Sequence, residues 1–289
     1  MNRAVAIGIF DGVHAGHQEL LKLAKLYGKV IALTFYPHPT SVFAPERTPS
    51  QLVSLEDRIA LLKHHGADEV VVIEFTKEFS ALSPDQFIED ILVKQLQATH
   101  IVVGENFTFG HKAAGNVEYL RNHKRGFDVT AIKLEENRGV PVSSTRIRNL
   151  IMDGDVERAA DLLTRPHYVS GPVVHGEKRG REIGYPTANI GLASYATIPA
   201  DGVYAGWLTV GGIRWPAAIS IGTNPTFPGI RGRQVEAYAL DETDLDLYDQ
   251  EAKLEILYRL RDTLKFESLD ELLVQMASDC MQTRVLLKS

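Results

Sequence analysis

A single cysteine, Cys280, stands among 289 residues. It has no intrachain partner, which excludes an internal disulfide and the disulfide-framed class of secreted domains; a reducing, cytoplasmic setting is the expectation. No apolar run approaches the ~20 residues that cross a bilayer, and the opening MNRAVAIGIF reads as leading straight into a strand rather than into a signal peptide. Positive charge is not in excess. Lys and Arg number 31 against 37 Asp and Glu, a formal net charge of −6, so bulk electrostatics favour neither nucleic acid nor an anionic membrane as partner. Any anion site must be local. Internal repeats and low-complexity tracts are missing too. What remains, 44% hydrophobic and 24% charged residues, is a globular composition long enough for two cores of about 100–150 residues each.

The first half alternates apolar runs with helical spacing. Ala4 to Ile9, Val30 to Phe35, Glu69 to Phe75, His100 to Gly104 and 128–134 read as strands. Helices are expected from Leu20 to Tyr27, from Leu55 to His65, from Ser83 to Leu96 with Ser83, Pro84 and Gln86 as a capping-box start, near Val117 to His123, and from about Ser144 and Asp155. Such alternation implies a mainly parallel sheet covered on both faces, with ligands beyond the carboxyl ends of its strands. Gly8 to His17, Thr34 to Pro39 and Gly104 to Gly110 each follow a strand and should converge there.

GIFDGVHAGH, Gly8 to His17, is the stretch around which this half is organised. A strand that breaks into a glycine turn and opens a helix aims unpaired N–H groups and a positive dipole end at one point, which suits a phosphate. Gly8, Phe10, Asp11 and Gly12 are expected to bind the phosphates of ATP in this turn, and His14 and His17 add imidazole donors for a nucleotide triphosphate. The competing reading is that the histidines cap or pack. Phe35-Tyr36-Pro37-His38-Pro39 ends a strand rigidly, with His38 either part of that stop or lining the site. In GENFTFG, Phe107 and Phe109 suit the core, whereas Asn106 has no packing reason. Ser143, Ser144 and Thr145 make an ordinary helix start, but a cap does not need Arg146 or Arg148, which would neutralise triphosphate charge.

Near residue 165 the pattern changes, and domains of 1–165 and 166–289 are expected. Short β-rich runs follow at Tyr168 to Val174, Gly202 to Val210, Ile213 to Ile221, Val235 to Leu240 and Ala252 to Tyr258, with Gly211-Gly212 a hairpin signal. This is a mostly antiparallel sheet or small barrel, closed by a helix from Ser268. HGEKRGREIGYPTANI carries Gly176, Gly180 and Gly184 among Lys178, Arg179 and Arg181, a basic loop that covers phosphates or a solvated surface loop. Its tail, Pro186 to Asn189, presents the Thr187 hydroxyl and the Asn189 amide oxygen, hard donors of the kind Mg²⁺ takes together with nucleotide phosphates. Glu236 interrupts an apolar strand; a buried strand carboxylate must be paired or used, and it can accept a hydroxyl proton.

GIFDGVHAGH, LTFYPHP, GENFTFG, VSSTRIR, RGREIGYPTANI, SIGTNPTF, VEAYALD and LRDTLKFESLDEL, in that order, resemble the bacterial bifunctional riboflavin kinase/FMN adenylyltransferase (FAD synthetase) family over nearly the whole chain. The resemblance implies a Rossmann-like nucleotidyltransferase domain with a parallel sheet, followed by a six-stranded antiparallel β-barrel with a C-terminal helix. It implies riboflavin, FMN and ATP as substrates, with Mg²⁺. By motif, Thr187 and Asn189 hold Mg²⁺ and ATP, Glu236 takes the ribityl hydroxyl proton, and His14, His17, Asn106, Ser143, Ser144, Thr145 and Arg148 serve adenylyl transfer. Departures stand at Ala113 and Asn116, where the family often has arginine and aspartate, and at Tyr238 and Asp249. The first two leave room for an alternative, a riboflavin kinase whose adenylyltransferase half is weak or inactive; a flavin-binding regulator without turnover is a further rival. Oligomeric state is not legible.

Overall fold

The structure is a computed structural model that describes residues 2–123, 126–133, 136–137, 139–176, 180, 183–222 and 233–288. Packing divides the chain into Met1–Ser144 and Thr145–Ser289, earlier than the change of composition at 165. The helices after Ser144 therefore pack with the second unit.

In the first unit, β1 (Arg3–Ile7) leads to α1 (Ala15–Lys25), β2 (Lys29–Tyr36), the short α2 (Pro39–Phe43) and α3 (Leu55–His64). Then come β3 (Glu69–Glu74), α4 (Lys77–Ser80), α5 (Pro84–Gln86), β4 (His100–Gly104), the two-residue pair β5 (Thr108–Phe109) and β6 (Gly115–Asn116), α6 (Val117–Asn122) and β7 (Asp128–Ile132). A second two-residue pair, β8 (Glu136–Asn137) and β9 (Val140–Pro141), ends the unit.

The main sheet is parallel, in the order β3-β2-β1-β4-β7. Strand alternation explains why its runs are apolar throughout. Val5, Ile7, Ile31, Leu33, Ile101 and Val103 enter one core, while Ala4, Ala6, Val30, Ala32 and Val102 enter the core on the other face. β3, at the sheet edge, is half-buried instead. Because the chain steps outward from β1 through β2 to β3 and returns to start β4 on the other side, the turns after β1 and β4 flank the switch point.

Ser83 starts its helix as expected, with its Oγ accepting from Gln86 N–H at 3.2 Å and Gln86 Oε1 accepting from Ser83 N–H at 2.8 Å. From Phe87 to Gln95 the helix is of the wider π form. Buried Ile88, Leu92 and Leu96 recur at steps of four residues, with Phe87 beside Ile88, a spacing that α and π turns serve equally.

In the second unit, α7 (Ser144–Met152) and α8 (Val156–Leu163) precede β10 (His167–Val174), β11 (Ala188–Ile190), β12 (Gly202–Val210), β13 (Ile213–Gly222), β14 (Gln234–Ala239), β15 (Glu251–Arg261) and α9 (Leu269–Leu287). These strands close a six-stranded barrel in the order β10-β11-β14-β13-β12-β15, with antiparallel neighbours throughout. Gly211 and Gly212 turn the β12–β13 hairpin with φ of 57° and 82°, the left-handed pair that a two-residue hairpin turn requires. The α9 helix is capped by Ser268 Oγ, which accepts from Glu271 N–H, and is tied to the barrel by Arg261, whose guanidinium donates to both oxygens of buried Asp279 at 2.6–3.1 Å. Burial pushes the Cys280 thiol beside it up to about 11, so this thiol is a packing group.

His167 begins β10 almost fully buried, its Nε2–H donating to the Thr197 carbonyl at 2.9 Å. Burial holds its imidazole down at about 4, with Arg165 adding to the effect and Thr197 opposing it. Between about pH 4 and about pH 6.5 the folded chain thus binds fewer protons than the unfolded one; stability is whole above that window and falls as acid passes through it, by up to ~3 kcal/mol. Urea titrations of the wild type at about pH 7 and about pH 4.5 should show this slope, and His167→Gln should flatten it. An equal slope in the variant would assign acid sensitivity to other groups.

Candidate functional site

The first constellation is the turn between β1 and α1. Gly8 N–H donates to the Leu33 carbonyl at 3.1 Å, and Val13 N–H to the Phe10 carbonyl at 3.1 Å, drawing the chain into a tight knot. Phe10, Gly12 and Val13 all hold left-handed φ, of 54°, 80° and 42°. Non-glycine residues in that region are strained, and such strain concentrates at ligand sites. Buried Phe10 stands edge-on to His17 with ring centroids 5.1 Å apart, and the rings of His14 and His17 stack with centroids 3.6 Å apart. His14 is the N-cap residue of α1, yet its side chain makes no capping bond there. His17 Nδ1 is buried without a hydrogen-bond partner. Burial first, then the neighbouring His14 and Arg58, hold the His17 imidazole well below its ordinary range. Near neutral pH it is an uncharged ring with an unused polar atom.

Asp11, read from sequence as a phosphate-site residue, is held from behind the turn. It is 1% exposed, and both its carboxylate oxygens accept from Leu52 N–H at 3.0 and 3.2 Å; it shapes the turn from behind. Ser144 Oγ donates to the Asp11 carbonyl at 2.9 Å, bringing Ser143 and Ser144 to the same turn. Thr145 and Arg148, read from sequence with them, belong to the second unit. Asn106 lies exposed in the turn after β4, the strand beside β1. His38 is a cap, its Nδ1 accepting from Thr40 N–H at 3.2 Å.

The second constellation lies on the barrel. β11 and β14 pair with Asn189 opposite Glu236, and in an antiparallel ladder directly opposed residues share a face. Thr187 Oγ1 donates to Glu236 Oε2 at 3.1 Å. Asn189 is 9% exposed, and its Oδ1 is buried with no hydrogen-bond partner. Along β14 the residues Val235, Ala237 and Ala239 are buried while Glu236 and Tyr238 face the other way. An open pocket is lined by Thr187, Asn189, Pro186, Gly176, Gly180 and Tyr248 among others. A Cβ at Gly176 would collide with Asn189 Nδ2, so only glycine lets this loop press against the amide. The Gly180 carbonyl accepts from Tyr185 N–H at 2.7 Å, and exposed Gly184 turns with φ of 84°. Lys178, Arg179 and Arg181 lie outside the described residues.

Two family models match the chain, FAD synthetase over residues 1–146 and riboflavin kinase over 163–287. The bifunctional riboflavin kinase/FMN adenylyltransferase of Escherichia coli K12 is 37% identical over 288 residues, spanning 97% of this chain and 91% of the relative. The chain belongs to the bifunctional riboflavin kinase/FMN adenylyltransferase family. The Listeria monocytogenes bifunctional riboflavin kinase/FMN adenylyltransferase is likewise 37% identical over 291 residues, 98% of this chain and 92% of its own length. A crystal structure described as a macrolide-efflux protein from Streptococcus pneumoniae shares the fold, with TM-score 0.88, 34% identity and coverage of 98% and 94%. Among the described residues no helix is long and apolar enough to cross a membrane.

Within this chain, the two departures from the family pattern in the first unit have defined local structures. Asn116 caps α6, its Oδ1 accepting from Tyr119 N–H at 2.9 Å, and Ala113 takes a left-handed φ of 55°. Tyr238 packs edge-on against Tyr185 at 5.1 Å, and burial pushes its hydroxyl up. One residue escapes the sequence reading altogether: Arg58 on α3, 1% exposed and electrostatically coupled to Asp11 and His17. Its signal is present, since Arg58 takes the place one turn before buried Leu62 where an aliphatic residue belongs.

Proposed function

We propose that the chain phosphorylates riboflavin to FMN with ATP and then adenylylates FMN to FAD, releasing pyrophosphate, in a cytoplasmic setting that the lone cysteine supports. The observation that carries this reading is the Thr187–Glu236 contact beside the orphaned Asn189 oxygen, on paired strands of a barrel that matches the riboflavin kinase model. A buried carbonyl oxygen without a donor favours a bound cation, and the hydroxyl and amide oxygens present fit Mg²⁺, which keeps few protein ligands and takes the rest from phosphates and water. Thr187 and Asn189 would hold it, and when bound it neutralises phosphate charge. Among the described residues no cluster of His, Cys, Asp and Glu offers a competing metal site.

In the kinase step Glu236 accepts the proton of the ribityl 5′-hydroxyl. The hydroxyl oxygen bonds to the γ-phosphorus, and the bond to the β–γ bridging oxygen breaks to release ADP. Positioning supplies most of the acceleration, because phosphoryl transfer leaves little covalent work to the protein. In the adenylyl step an FMN phosphate oxygen attacks the α-phosphorus and pyrophosphate leaves. That nucleophile is already anionic, so His14, His17 and the turn amides serve to stabilise charge gathering on the phosphates.

Purified full-length chain incubated with riboflavin, ATP and Mg²⁺ should give FMN first and FAD later by chromatography. FMN accumulating without FAD would reduce the function to the kinase, as the departures at Ala113 and Asn116 allow; unconsumed ATP would overturn it.

A further inference from the structure

Arg58 is a charged side chain spent where an aliphatic one would pack. Its Nη1 donates to the Phe35 carbonyl at 3.2 Å, at the end of β2, and its Nη2 stands 3.5 Å from Gln51 Oε1. Its Nε is buried with no hydrogen-bond partner. An incompletely satisfied buried guanidinium is unfavourable unless opposite charge or function compensates. Asp11 compensates in part, with Tyr36 adding to it, against the burial that draws the guanidinium below its ordinary range. Asp11 in turn holds Leu52 N–H, so Arg58 and Asp11 together fasten the strand end and the 51–54 segment under the histidine turn. Among the described residues, the charged and titratable groups acting on His17 are His14 from its own turn and Arg58 from α3, with Asp11 and Tyr36 of β2 acting on Arg58 in turn.

We propose that Arg58 is a positioning residue for nucleotide binding at the HxGH turn: its fork locks the scaffold beneath His14 and His17 and sets a fixed positive charge behind them, acting on the incoming polyphosphate. The charge needs no contact with the ligand, because in a water-poor interior it is weakly screened. This rests on the adenylyltransferase reading of the first unit. It adds that the phosphate-facing histidines work against a permanent cation rather than against an inert core.

The test uses full-length wild type, Arg58→Met and Arg58→Lys, each assayed for adenylylation of added FMN and for riboflavin phosphorylation, with the His17 ring followed by NMR against pH. In Arg58→Met, kcat/KM for ATP in adenylylation should fall by about 10²-fold, phosphorylation should persist, and His17 should titrate at higher pH because a positive neighbour is gone. Arg58→Lys should return the His17 titration towards wild type while leaving the rate reduced, since an ammonium cannot span Phe35 and Gln51 as a fork does. A folded Arg58→Met with wild-type KM for ATP and an unmoved His17 titration overturns the proposal. Equal losses in both variants with an unmoved titration would make Arg58 merely structural. If the methionine variant does not fold, a wild-type rate in Arg58→Lys overturns the fork. Failure of the wild type itself to adenylylate FMN would sink the functional reading instead, and the ring titration would still test the placement.

Discussion

Replacing Glu236 with glutamine lowers riboflavin phosphorylation by about 10²–10⁴-fold, the range usual for loss of a general base, while flavin and ATP binding stay near wild type. The expectation comes from how the carboxylate is held. β14 is paired on both sides, with Glu236 opposite Asn189 of β11 and Ser220 of β13, so its backbone has little freedom. Thr187 fixes one carboxylate oxygen through a 3.1 Å bond. A glutamine oxygen can accept that same hydroxyl, and the volume is conserved, so the substitution removes proton acceptance and little else. Flavin fluorescence titration measures binding, and single-turnover phosphorylation measures the chemical step. If the Glu236→Gln enzyme turned over at the wild-type rate, the proton would have to leave by another route and Glu236 would be a structural partner of Thr187.

His17→Ala should depress adenylylation of added FMN by about 10²–10³-fold, the scale set by removing one charge-stabilising donor, and leave phosphorylation intact. The ring sits stacked at 3.6 Å on His14, edge-on to Phe10, with Nδ1 unpartnered and the imidazole held neutral by burial. An uncharged, partly desolvated ring gains most when a polyanion arrives, because phosphate charge restores what burial removed. Loss of both activities in the variant would show that His17 serves folding, and thermal unfolding of the variant would register the same failure.

Much of this architecture is legible in the chain because several local signals agree. Gly202 to Val210 runs as a strand between the bounds read from its β-rich run, and Gly211-Gly212 turns the hairpin as its dihedral demands require. Ser83 and Gln86 form the expected reciprocal cap. Elsewhere the signal is ambiguous. The Phe87–Gln95 segment has apolar spacing that an α-helix and a π-helix share, and only the carbonyls chosen by its N–H groups decide between them. β3 looks as apolar as the central strands, though it lies at an edge. The site residues divide in the same way. Thr187 and Asn189 are visible as alternating donors, and Glu236 as a charge out of pattern. The motif puts Asp11 in the turn without saying which way its carboxylate points, because the partner it accepts from, Leu52 N–H, is distant in sequence. Arg58 is hidden inside LEDRIALL, where a helix carrying charges is commonplace.

The β11 strand is only Ala188–Ile190, yet it joins β10 to β14 and so completes the cylinder. Strand side chains alternate faces, and a slip of one residue would swing the Asn189 amide away from Glu236. A misaligned ring would trap as much hydrocarbon and still be chemically mute. FMN production by this chain is therefore an assay of assembly as much as of chemistry: product emerges only from molecules whose shortest stave has locked in its proper notch.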